Sequence, residues 1–356
     1  MSGTSLDGID VAIVEITGRK VRTLKFQSTL YPQRLRQAIL DVSNTKTTTA
    51  AIARLHFQLG EEYARAAIRA GLKGVELIGC HGQTIYHESG VATLQIGAGG
   101  VIAERTGIPV ISDFRPADIA AGGKGAPLVP FVDYRMFRHP RRDRVALNIG
   151  GIANITAIPA GARPEQVIAF DTGPGNMVID ALVAEYTNGR QRYDRDGRLA
   201  AKGRVNTIAL GALLADPYYK QKPPKTAGRE QYGREFVERL RGSGLEMLDL
   251  IATATALTAT TIAGAIRRQA GMREGDLIVS GGGAHNQRIL WQLGELLPGF
   301  NIDSSTHYGL DADAKEAIAF AILAYETWRG RPSNLPSATG ARHPVVLGSL
   351  HAAVVR

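Results

Sequence analysis

Residues 144–158 read RVALNIGGIANITAI, in which Gly150 and Gly151 join two β-branched apolar runs. Two such runs separated by a glycine pair predict a β-hairpin. Residues 1–16, MSGTSLDGIDVAIVEI, resemble the second half of this pattern, because a glycine-containing turn precedes the strand-like run IDVAIVEI. The similarity predicts an internal duplication, with one domain beginning near residue 1 and the other near residue 144.

The rest of the chain alternates between strand-like and helical patterns. Glycine clusters such as GCHGQT and SGGGAHN follow apolar runs, and residues 48–72 place apolar side chains at helical spacing. This alternation predicts an α/β fold. We assign residues 1–128 to an N-terminal α/β domain, completed by about 342–356, and residues 129–341 to a C-terminal α/β domain.

Composition limits the class of protein. The 356 residues are 44% hydrophobic and 21% charged, as in a soluble globular protein, and the net charge is +9. We find neither a signal peptide nor an apolar run of membrane length. Cys80 is the only cysteine, which excludes internal disulfides. We therefore expect a cytoplasmic protein that binds neither membrane nor nucleic acid, since no recognition motif accompanies the basic residues.

The two glycine turns are candidate phosphate sites. Successive small residues direct several backbone N–H groups into one concavity, which suits an anion. The hydroxyl groups of Thr4 and Ser5 add donors, and the carboxylate of Asp7 or Asp10 can hold a metal ion. Each turn taken alone is equally well explained as an ordinary hairpin turn. A pair facing each other across two domains would hold a polyphosphate.

Two further segments carry candidate chemistry. In FDTGPGN, Asp171 ends an apolar run before a Gly-Pro-Gly turn, a position that suits a fixed general base or a helix cap. In SGGGAHN, the glycines Gly281, Gly282 and Gly283 leave space for a flat ligand before a helix. Glu316 begins the last long helix, where a carboxylate also stabilises the helix dipole.

Other polar residues follow apolar runs and are candidates for binding a polar ligand. They are His81, Gln83, Arg115 and Asp118. The segment GAGGVI, residues 97–102, partly matches a dinucleotide-binding fingerprint and keeps an oxidoreductase as an alternative. The proline-rich segment near YYKQKPPKTAG is typical of an exposed loop.

Taken in order, the motifs resemble those of one family. SGTSLDGID, GCHGQTI, SDFRPADIAAGGKGAPLVP, LNIGGIANIT, FDTGPGNMVID, YDRDG and VSGGGAHN are similar to the motifs of anhydro-N-acetylmuramic acid kinases. The resemblance implies a two-domain actin/hexokinase-like ATPase fold with a central ATP/substrate cleft. It also implies ATP-dependent opening and phosphorylation of 1,6-anhydro-N-acetylmuramic acid in bacterial peptidoglycan recycling, with Mg²⁺, and by family habit a homodimer.

The resemblance assigns the ATP-phosphate segment to Gly3–Asp10, the catalytic aspartate to Asp171 and a substrate-side glutamate to Glu316. Together with the residue patterns described above, it leads to the following predicted roles. The catalytic residues are Asp171 as general base and Glu316 on the substrate side. The substrate-binding residues are His81, Gln83, Arg115, Asp118 and Asn176. The metal ligand is Asp7. The nucleotide-binding residues are Gly3, Thr4, Ser5, Leu6, Asp7, Gly8, Ile9, Asp10, Gly150, Gly151, Asn154, Gly281, Gly282 and Gly283.

Three alternatives and one further expectation accompany this assignment. The alternatives are a related sugar kinase with another substrate, a catalytically silent nucleotide-binding regulator, and the dinucleotide oxidoreductase. Family members carry a short apolar strand before the first glycine turn, so we expect the natural start to lie upstream of Met1.

Overall fold

The computed structural model describes residues 1–2 and 8–353. Twelve strands are found in these residues. They are β1 (Gly8–Thr17), β2 (Lys20–Leu30), β3 (Ile78–Gly79), β4 (Gln83–Glu88), β5 (Ala92–Ile96), β6 (Val110–Ser112), β7 (Arg144–Ile149), β8 (Ile152–Ile158), β9 (Ile168–Pro174), β10 (Gly275–Ser280), β11 (Phe300–Ser304) and β12 (Ser349–His351).

Thirteen α-helices are found in the same residues. They are α1 (Gln33–Val42), α2 (Thr49–Ala70), α3 (Gly99–Thr106), α4 (Pro116–Ala120), α5 (Val129–Phe137), α6 (Asn176–Tyr186), α7 (Thr207–Leu214), α8 (Arg229–Tyr232), α9 (Arg234–Arg241), α10 (Met247–Gly264), α11 (Gln287–Leu296), α12 (Lys315–Trp328) and α13 (Pro336–Thr339).

The chain folds as two compact units, which comprise residues 1–135 with 309–356 and residues 136–308. The first unit thus takes a longer C-terminal segment than the residues 342–356 that the sequence suggested. The reason is that α12 packs on β1, β3 and β6, and that β12 pairs with β6. These contacts join residues more than 200 positions apart, so local sequence patterns do not reveal them.

The second unit is built on one five-stranded sheet of order β11-β10-β7-β8-β9. The strand β10 pairs in parallel with β7 and β11, whereas β7, β8 and β9 form an antiparallel meander. The hairpin predicted for residues 144–158 is confirmed as β7 and β8. The buried faces of Leu147, Ile155 and Leu277 pack with α6, α10 and α11 into a single core.

The described strands of the first unit form three separate sheets. β1 and β2 form an antiparallel hairpin, β12, β6 and β3 form a second sheet, and β4 pairs with β5. The predicted strand after the first turn is confirmed as β1, and the backbones of Met1 and Asp10 exchange two hydrogen bonds of 2.8 Å beside it. A cavity of about 430 Å³ lies along β1, lined by Ile9–Ile16 and Leu77–Cys80.

One long apolar helix in the second unit needs separate mention. Within the part of the chain that the structure describes, only Met247–Gln269 is long and apolar enough to span a membrane, and 89% of its most apolar window is buried inside the protein. It consists of α10 and one following π-helical turn. This burial is ordinary for a helix at the centre of a core.

Candidate active site

A row of polar residues crosses four neighbouring strands of the second unit. Ser280 on β10 pairs with Asn148 on β7, Asn148 pairs with Asn154 on β8, and Asn154 pairs with Asp171 on β9. Directly paired residues of neighbouring strands project from the same face of a sheet. The register therefore brings the predicted Asn154 and Asp171 together, along a row of roughly 14 Å at the usual strand spacing.

A β-bulge lies beside Asp171. Asn154 pairs with Asp171 but Ala153 pairs with Gly173, so Thr172 is the extra residue on β9. The Thr172 hydroxyl donates to the Ala153 carbonyl at 3.1 Å, and Gly173 has φ +145°, a region that other residues avoid. Bulges of this kind reorient neighbouring side chains and are frequent next to active sites.

The Asp171 carboxylate lies in an environment that suits a general base. The Ala227 N–H donates to Oδ2 at 2.9 Å, which among the described residues is the only hydrogen bond to the carboxylate. Burial raises the pKa of Asp171 to about 6, with a smaller contribution from Glu230 and against the effects of the Ala227 N–H and Lys225. A carboxylate with this pKa is ionised at neutral pH and still basic enough to accept a proton.

The turn between β7 and β8 is fixed by the segment that follows Asp171. The carbonyl groups of Gly150 and Gly151 accept hydrogen bonds from the backbone N–H groups of Gly175, Asn176 and Met177. An added Cβ at Gly175 would collide with the Gly150 carbonyl. Because the carbonyl groups of the turn accept these hydrogen bonds, the N–H groups of the turn are the groups left to bind an anion.

The glycine loop after β10 approaches this turn closely. A Cβ at Gly281, which has φ +79°, would lie 2.6 Å from Asn148 Oδ1, and a Cβ at Gly283 would collide with Ile149. Asn176 Nδ2 donates to the Ile149 carbonyl at 3.2 Å. The structure therefore places Asn176 with Gly281, Gly282 and Gly283, the loop assigned to the nucleotide.

The first predicted phosphate segment is described only in part. Gly3, Thr4, Ser5, Leu6 and Asp7 lie outside the described residues. Gly8 packs against the Thr29 carbonyl of β2, so a side chain would not fit there, and the Ile9 side chain is buried in the core. Within Gly8–Asp10, Asp10 alone has a polar side chain.

His81 and Arg115 of the first unit form a direct pair. The Arg115 guanidinium donates to His81 Nε2 at 2.9 and 3.2 Å and to the Gly125 carbonyl at 2.8 Å. Because a guanidinium only donates, His81 carries its proton on Nδ1, which donates to the Gly82 carbonyl at 2.9 Å. Burial and Arg115 hold the pKa of His81 well below its usual range, so the ring is neutral.

Asp118 is fully buried, and both of its oxygens are used within the protein. Oδ2 accepts from the Gly125 N–H at 2.8 Å, and Oδ1 accepts from Asn334 at 2.6 Å and Thr339 at 2.7 Å. The Asp118 carboxylate therefore fixes the loop that contains Gly125, and the Gly125 carbonyl accepts a hydrogen bond from Arg115. These contacts favour an indirect role for Asp118, through the position of Arg115.

Glu316 and Gln83 complete the predicted set in the first unit. Glu316 reaches solvent from the first turn of α12, and surrounding protein and the Asp10 carboxylate raise its pKa. Glu316 also interacts electrostatically with Arg115, so the charge of Glu316 is influenced by two other predicted residues, Asp10 and Arg115. Gln83 is buried at the start of β4, where its amide group donates to the Thr84 carbonyl at 3.3 Å.

The glycines of the dinucleotide-like segment have a packing role. An added Cβ at Gly97 would collide with the Tyr63 ring, and one at Gly99 would lie 2.5 Å from His351. Protein side chains thus occupy the places where a dinucleotide would approach the backbone. This packing argues against the oxidoreductase alternative.

Several residues around Asp171 were not predicted from the sequence. The segment 218–228 was expected to be an exposed loop, and this expectation is wrong for Tyr218, Tyr219 and Lys225, which are buried. Asn148 and Ser280 were not singled out either. Their polar side chains, each at the end of an apolar strand next to a glycine turn, were a signal that the sequence did contain.

Comparison with known proteins agrees with the motifs. The family model for anhydro-N-acetylmuramic acid kinase matches residues 1–353. The chain belongs to the anhydro-N-acetylmuramic acid kinase family. The expected family, the α/β ATPase fold class and the assignment to an ATP-dependent sugar kinase are therefore confirmed, and members of a kinase family use ATP as phosphoryl donor.

Relatives in this family cover almost the whole chain. The anhydro-N-acetylmuramic acid kinase of Caldanaerobacter subterraneus subsp. tengcongensis is 45% identical over 98% of this chain and 95% of its own length. That of Salinibacter ruber is 42% identical over 98% and 94%. Among solved structures, a ROK family glucokinase from Streptomyces griseus, in complex with glucose and AMPPNP, covers 89% of this chain and 99% of its own at 13% identity and a TM-score of 0.36. A likeness of that size supports no conclusion about function.

Proposed function

We propose that this chain converts 1,6-anhydro-N-acetylmuramic acid, ATP and water into N-acetylmuramic acid 6-phosphate and ADP, as a step of peptidoglycan recycling. The observation that carries the proposal is Asp171, a carboxylate with a pKa of about 6 on a bulged strand, in a chain of this kinase family. Family membership supports the reaction, and the geometry supports the assignment of the base.

In the proposed reaction Asp171 activates water. The carboxylate takes a proton from water while the water oxygen forms a bond to C1 of the sugar, and the bond between C1 and the bridging O6 breaks. The electron pair left on O6 then attacks the γ-phosphorus of ATP, and ADP departs. The carbon-centred step resembles inverting glycoside hydrolysis, with the phosphoryl group in place of the general acid.

The glycine turns are assigned to the nucleotide. The N–H groups of Gly150 and Gly151 would donate to phosphate oxygens, and Gly281, Gly282 and Gly283 would lie against the nucleoside. The polar row supports this arrangement, because it runs from Ser280 beside the glycine loop to Asp171. Backbone donors fixed in advance stabilise the charge of a transferring phosphoryl group.

Residues of the first unit are assigned to the sugar. Arg115 is half-buried, and burial is the main reason that its pKa is lowered to about 10. It stays charged at neutral pH and suits the lactyl carboxylate of the substrate. His81 is neutral and orients Arg115, and Glu316 would accept hydrogen bonds from sugar hydroxyl groups. Gln83 remains assigned to substrate binding, and Asp118 acts through the Gly125 loop. Asn176 of the second unit also remains a proposed substrate-binding residue, although it lies beside the glycine loop assigned to the nucleotide.

Mg²⁺ is proposed as the companion of ATP. Magnesium is usually held by one or two carboxylates together with phosphate oxygens, and among the described residues of the first phosphate segment the Asp10 carboxylate fits that requirement. Asp7, the ligand expected from the sequence, lies outside the described residues. When bound, Mg²⁺ would neutralise charge on the phosphate oxygens.

Location and assembly are also proposed. A cytoplasmic location suits an enzyme that consumes ATP. The homodimer rests on family habit alone, and light scattering of the purified protein would test it.

The test is ADP release, measured by a coupled assay with and without 1,6-anhydro-N-acetylmuramic acid. We expect release that depends on this sugar and stops in Asp171→Asn. Release that depends on another sugar would favour a related kinase. Nucleotide binding without sugar-dependent release, and a biological effect that survives Asp171→Asn, would favour a regulator.

A further inference from the structure

A single segment, residues 218–227, contacts Asp171 at three points. The Ala227 N–H donates to Asp171 Oδ2 at 2.9 Å, and the Tyr218 hydroxyl donates to the Asp171 carbonyl at 2.7 Å. The Asp171 N–H donates to the Lys225 carbonyl at 3.2 Å. The side chain, carbonyl and amide of one residue are thus all held by this segment.

The segment is itself anchored in the core of the second unit. The rings of Tyr218 and Tyr219 pack edge to face, and the Tyr232 hydroxyl donates to the Tyr219 hydroxyl at 3.1 Å. Gln269 Nε2 donates to the carbonyl groups of Tyr219 at 3.1 Å and Gln221 at 2.6 Å. These contacts allow the segment to transmit a fixed position to Asp171.

Lys225 is the charged residue inside this arrangement. Its side chain is 6% exposed, and Nζ donates to the Tyr218 carbonyl at 2.9 Å while lying 4.3 Å from the centroid of the Tyr218 ring. Its second ring neighbour is Phe170, at 5.7 Å, the residue before Asp171. Burial of an ammonium group costs free energy unless neighbouring groups stabilise its charge.

We propose that Lys225 is a positioning residue for the general base, because its ammonium group holds the Tyr218 end of segment 218–227 and lies against Phe170, the strand neighbour of Asp171, so that its positive charge is near the Asp171 carboxylate. This inference rests on the proposed function and adds to it a residue to which the sequence analysis gave no role.

The ionisation of the two groups supports the pairing. Burial, together with Arg268 and against the effect of Asp171, lowers the pKa of Lys225 to about 8. The charged groups that face Asp171 are Glu230 and Lys225, and Tyr218 contacts it as a neutral phenol. Between pH 6 and pH 8 the carboxylate is therefore ionised while the ammonium keeps its proton.

Removal of the ammonium has a definite consequence for the pH profile. Without the neighbouring positive charge the pKa of Asp171 rises, so the acid limb of kcat/KM moves to higher pH, by about half a unit or more. The alkaline limb near pH 8, where Lys225 loses its proton, disappears. Arginine keeps the positive charge throughout this range and restores the position of the acid limb.

The experiment compares Lys225→Met, Lys225→Arg and the control Lys222→Met, an exposed lysine of the same segment, with the wild type. The measurements are pH profiles of sugar-dependent ADP release, the KM for the sugar, and ADP affinity by calorimetry. We expect Lys225→Met to lower kcat about tenfold or more with little change in KM or ADP affinity, and Lys222→Met to match the wild type.

Two outcomes separate this inference from the proposed function. If the wild type releases no ADP in response to the sugar, the proposed function is wrong. If the wild type is active and Lys225→Met keeps its pH profile and kcat, Lys225 has no positioning role. Should Lys225→Met not fold, Lys225→Arg decides: we expect it to keep the acid limb and to lose the alkaline limb near pH 8, and an unchanged alkaline limb would overturn the inference.

Discussion

The two units hold their candidate residues in different ways. In the second unit, Asn154 and Asp171 are neighbours because of strand register within one continuous sheet. In the first unit, His81 and Arg115 follow short strands and are held by side-chain hydrogen bonds to each other and to the Gly125 loop. Backbone register fixes the positions of Asn154 and Asp171. The positions of His81 and Arg115 instead depend on every member of a hydrogen-bonded network.

The sheets of the two units also differ in how many neighbouring strands their central elements pair with. The strand β8 has a hydrogen-bonded strand on each side, whereas β1 forms a two-stranded ladder with β2 alone in the described residues. The cavity of about 430 Å³ lies along β1. We infer that the second unit supplies the rigid part of the chemistry and that the first unit is more sensitive to the loss of single side chains.

The largest expected effect is on catalysis in the second unit. Asp171→Asn removes the group that takes the proton from water, while the amide oxygen can still accept from the Ala227 N–H. We expect kcat to fall by about 10³-fold, within the range for loss of a general base, with ADP affinity unchanged. Steady-state kinetics and calorimetry measure both. Substantial activity in this variant would remove Asp171 from the mechanism.

The next effect is on the stability of the first unit. Asp118→Ala leaves the Gly125 N–H, Asn334 and Thr339 without their buried acceptor. We expect a loss of about 3 kcal/mol in the free energy of unfolding, because buried donors without partners are costly. Urea unfolding measures the change, and Asp41→Ala, at an exposed carboxylate of the same unit, is the control. An equal, small effect of both substitutions would contradict the network described for the first unit.

Asp171 and Asp118 also show which site residues could be predicted from the sequence and which roles could not. Asp171 was identified because its signal is local: an apolar run, then a Gly-Pro-Gly turn. Asp118 has a similar local signal, but its partners Asn334 and Thr339 lie more than 200 residues away. No local pattern distinguishes a buried acceptor of this kind from a ligand-binding carboxylate.

The fold shows the same limit. Strand and helix patterns predicted the α/β class, the hairpin of β7 and β8 and the strand β1, since these depend on neighbouring residues. The assignment of α12 to the first unit and the contact of Lys225 with Phe170 depend on segments that are distant in the sequence. The proline-rich composition of segment 218–228 predicted an exposed loop, whereas Tyr218, Tyr219 and Lys225 of this segment are buried next to the aromatic rings of Tyr232 and Phe170.

A smaller effect concerns the energetic cost of the base. The pKa of Asp171 is about 6 in the folded protein and about 3.9 in an unfolded chain, so the native state binds its proton first as the pH falls. Above pH 6 the ionised carboxylate therefore lowers the free energy of unfolding, and this cost disappears toward pH 4. We expect Asp171→Asn to be more stable than the wild type by about 2 kcal/mol at pH 8.

Urea unfolding at pH 8 and at pH 4.5 checks this prediction, and the difference between the two proteins should shrink at the lower pH. Glu316, whose pKa is also raised, is present in both proteins and cancels in the comparison. A variant that is less stable than the wild type at pH 8 would show that the ionised carboxylate stabilises the second unit.

The smallest effect tests the contrast between the sheets directly. Because β8 is bonded on both edges and β1 pairs with β2 alone among the described strands, local opening should expose the amides of β1 more often. We expect amide hydrogen exchange in Asp10–Ile16 to be about tenfold faster than in Ala153–Ile158 at the same pH, a difference of roughly 1.4 kcal/mol in opening free energy. Mass spectrometry of peptic fragments measures both segments in one experiment, and fragments from urea-unfolded protein provide the intrinsic rates. Equal protection of the two strands would mean that packing by α2 and α12 protects β1 as well as a second paired strand would. The proposed sensitivity of the first unit to the loss of single side chains would then rest on the Asp118 network alone.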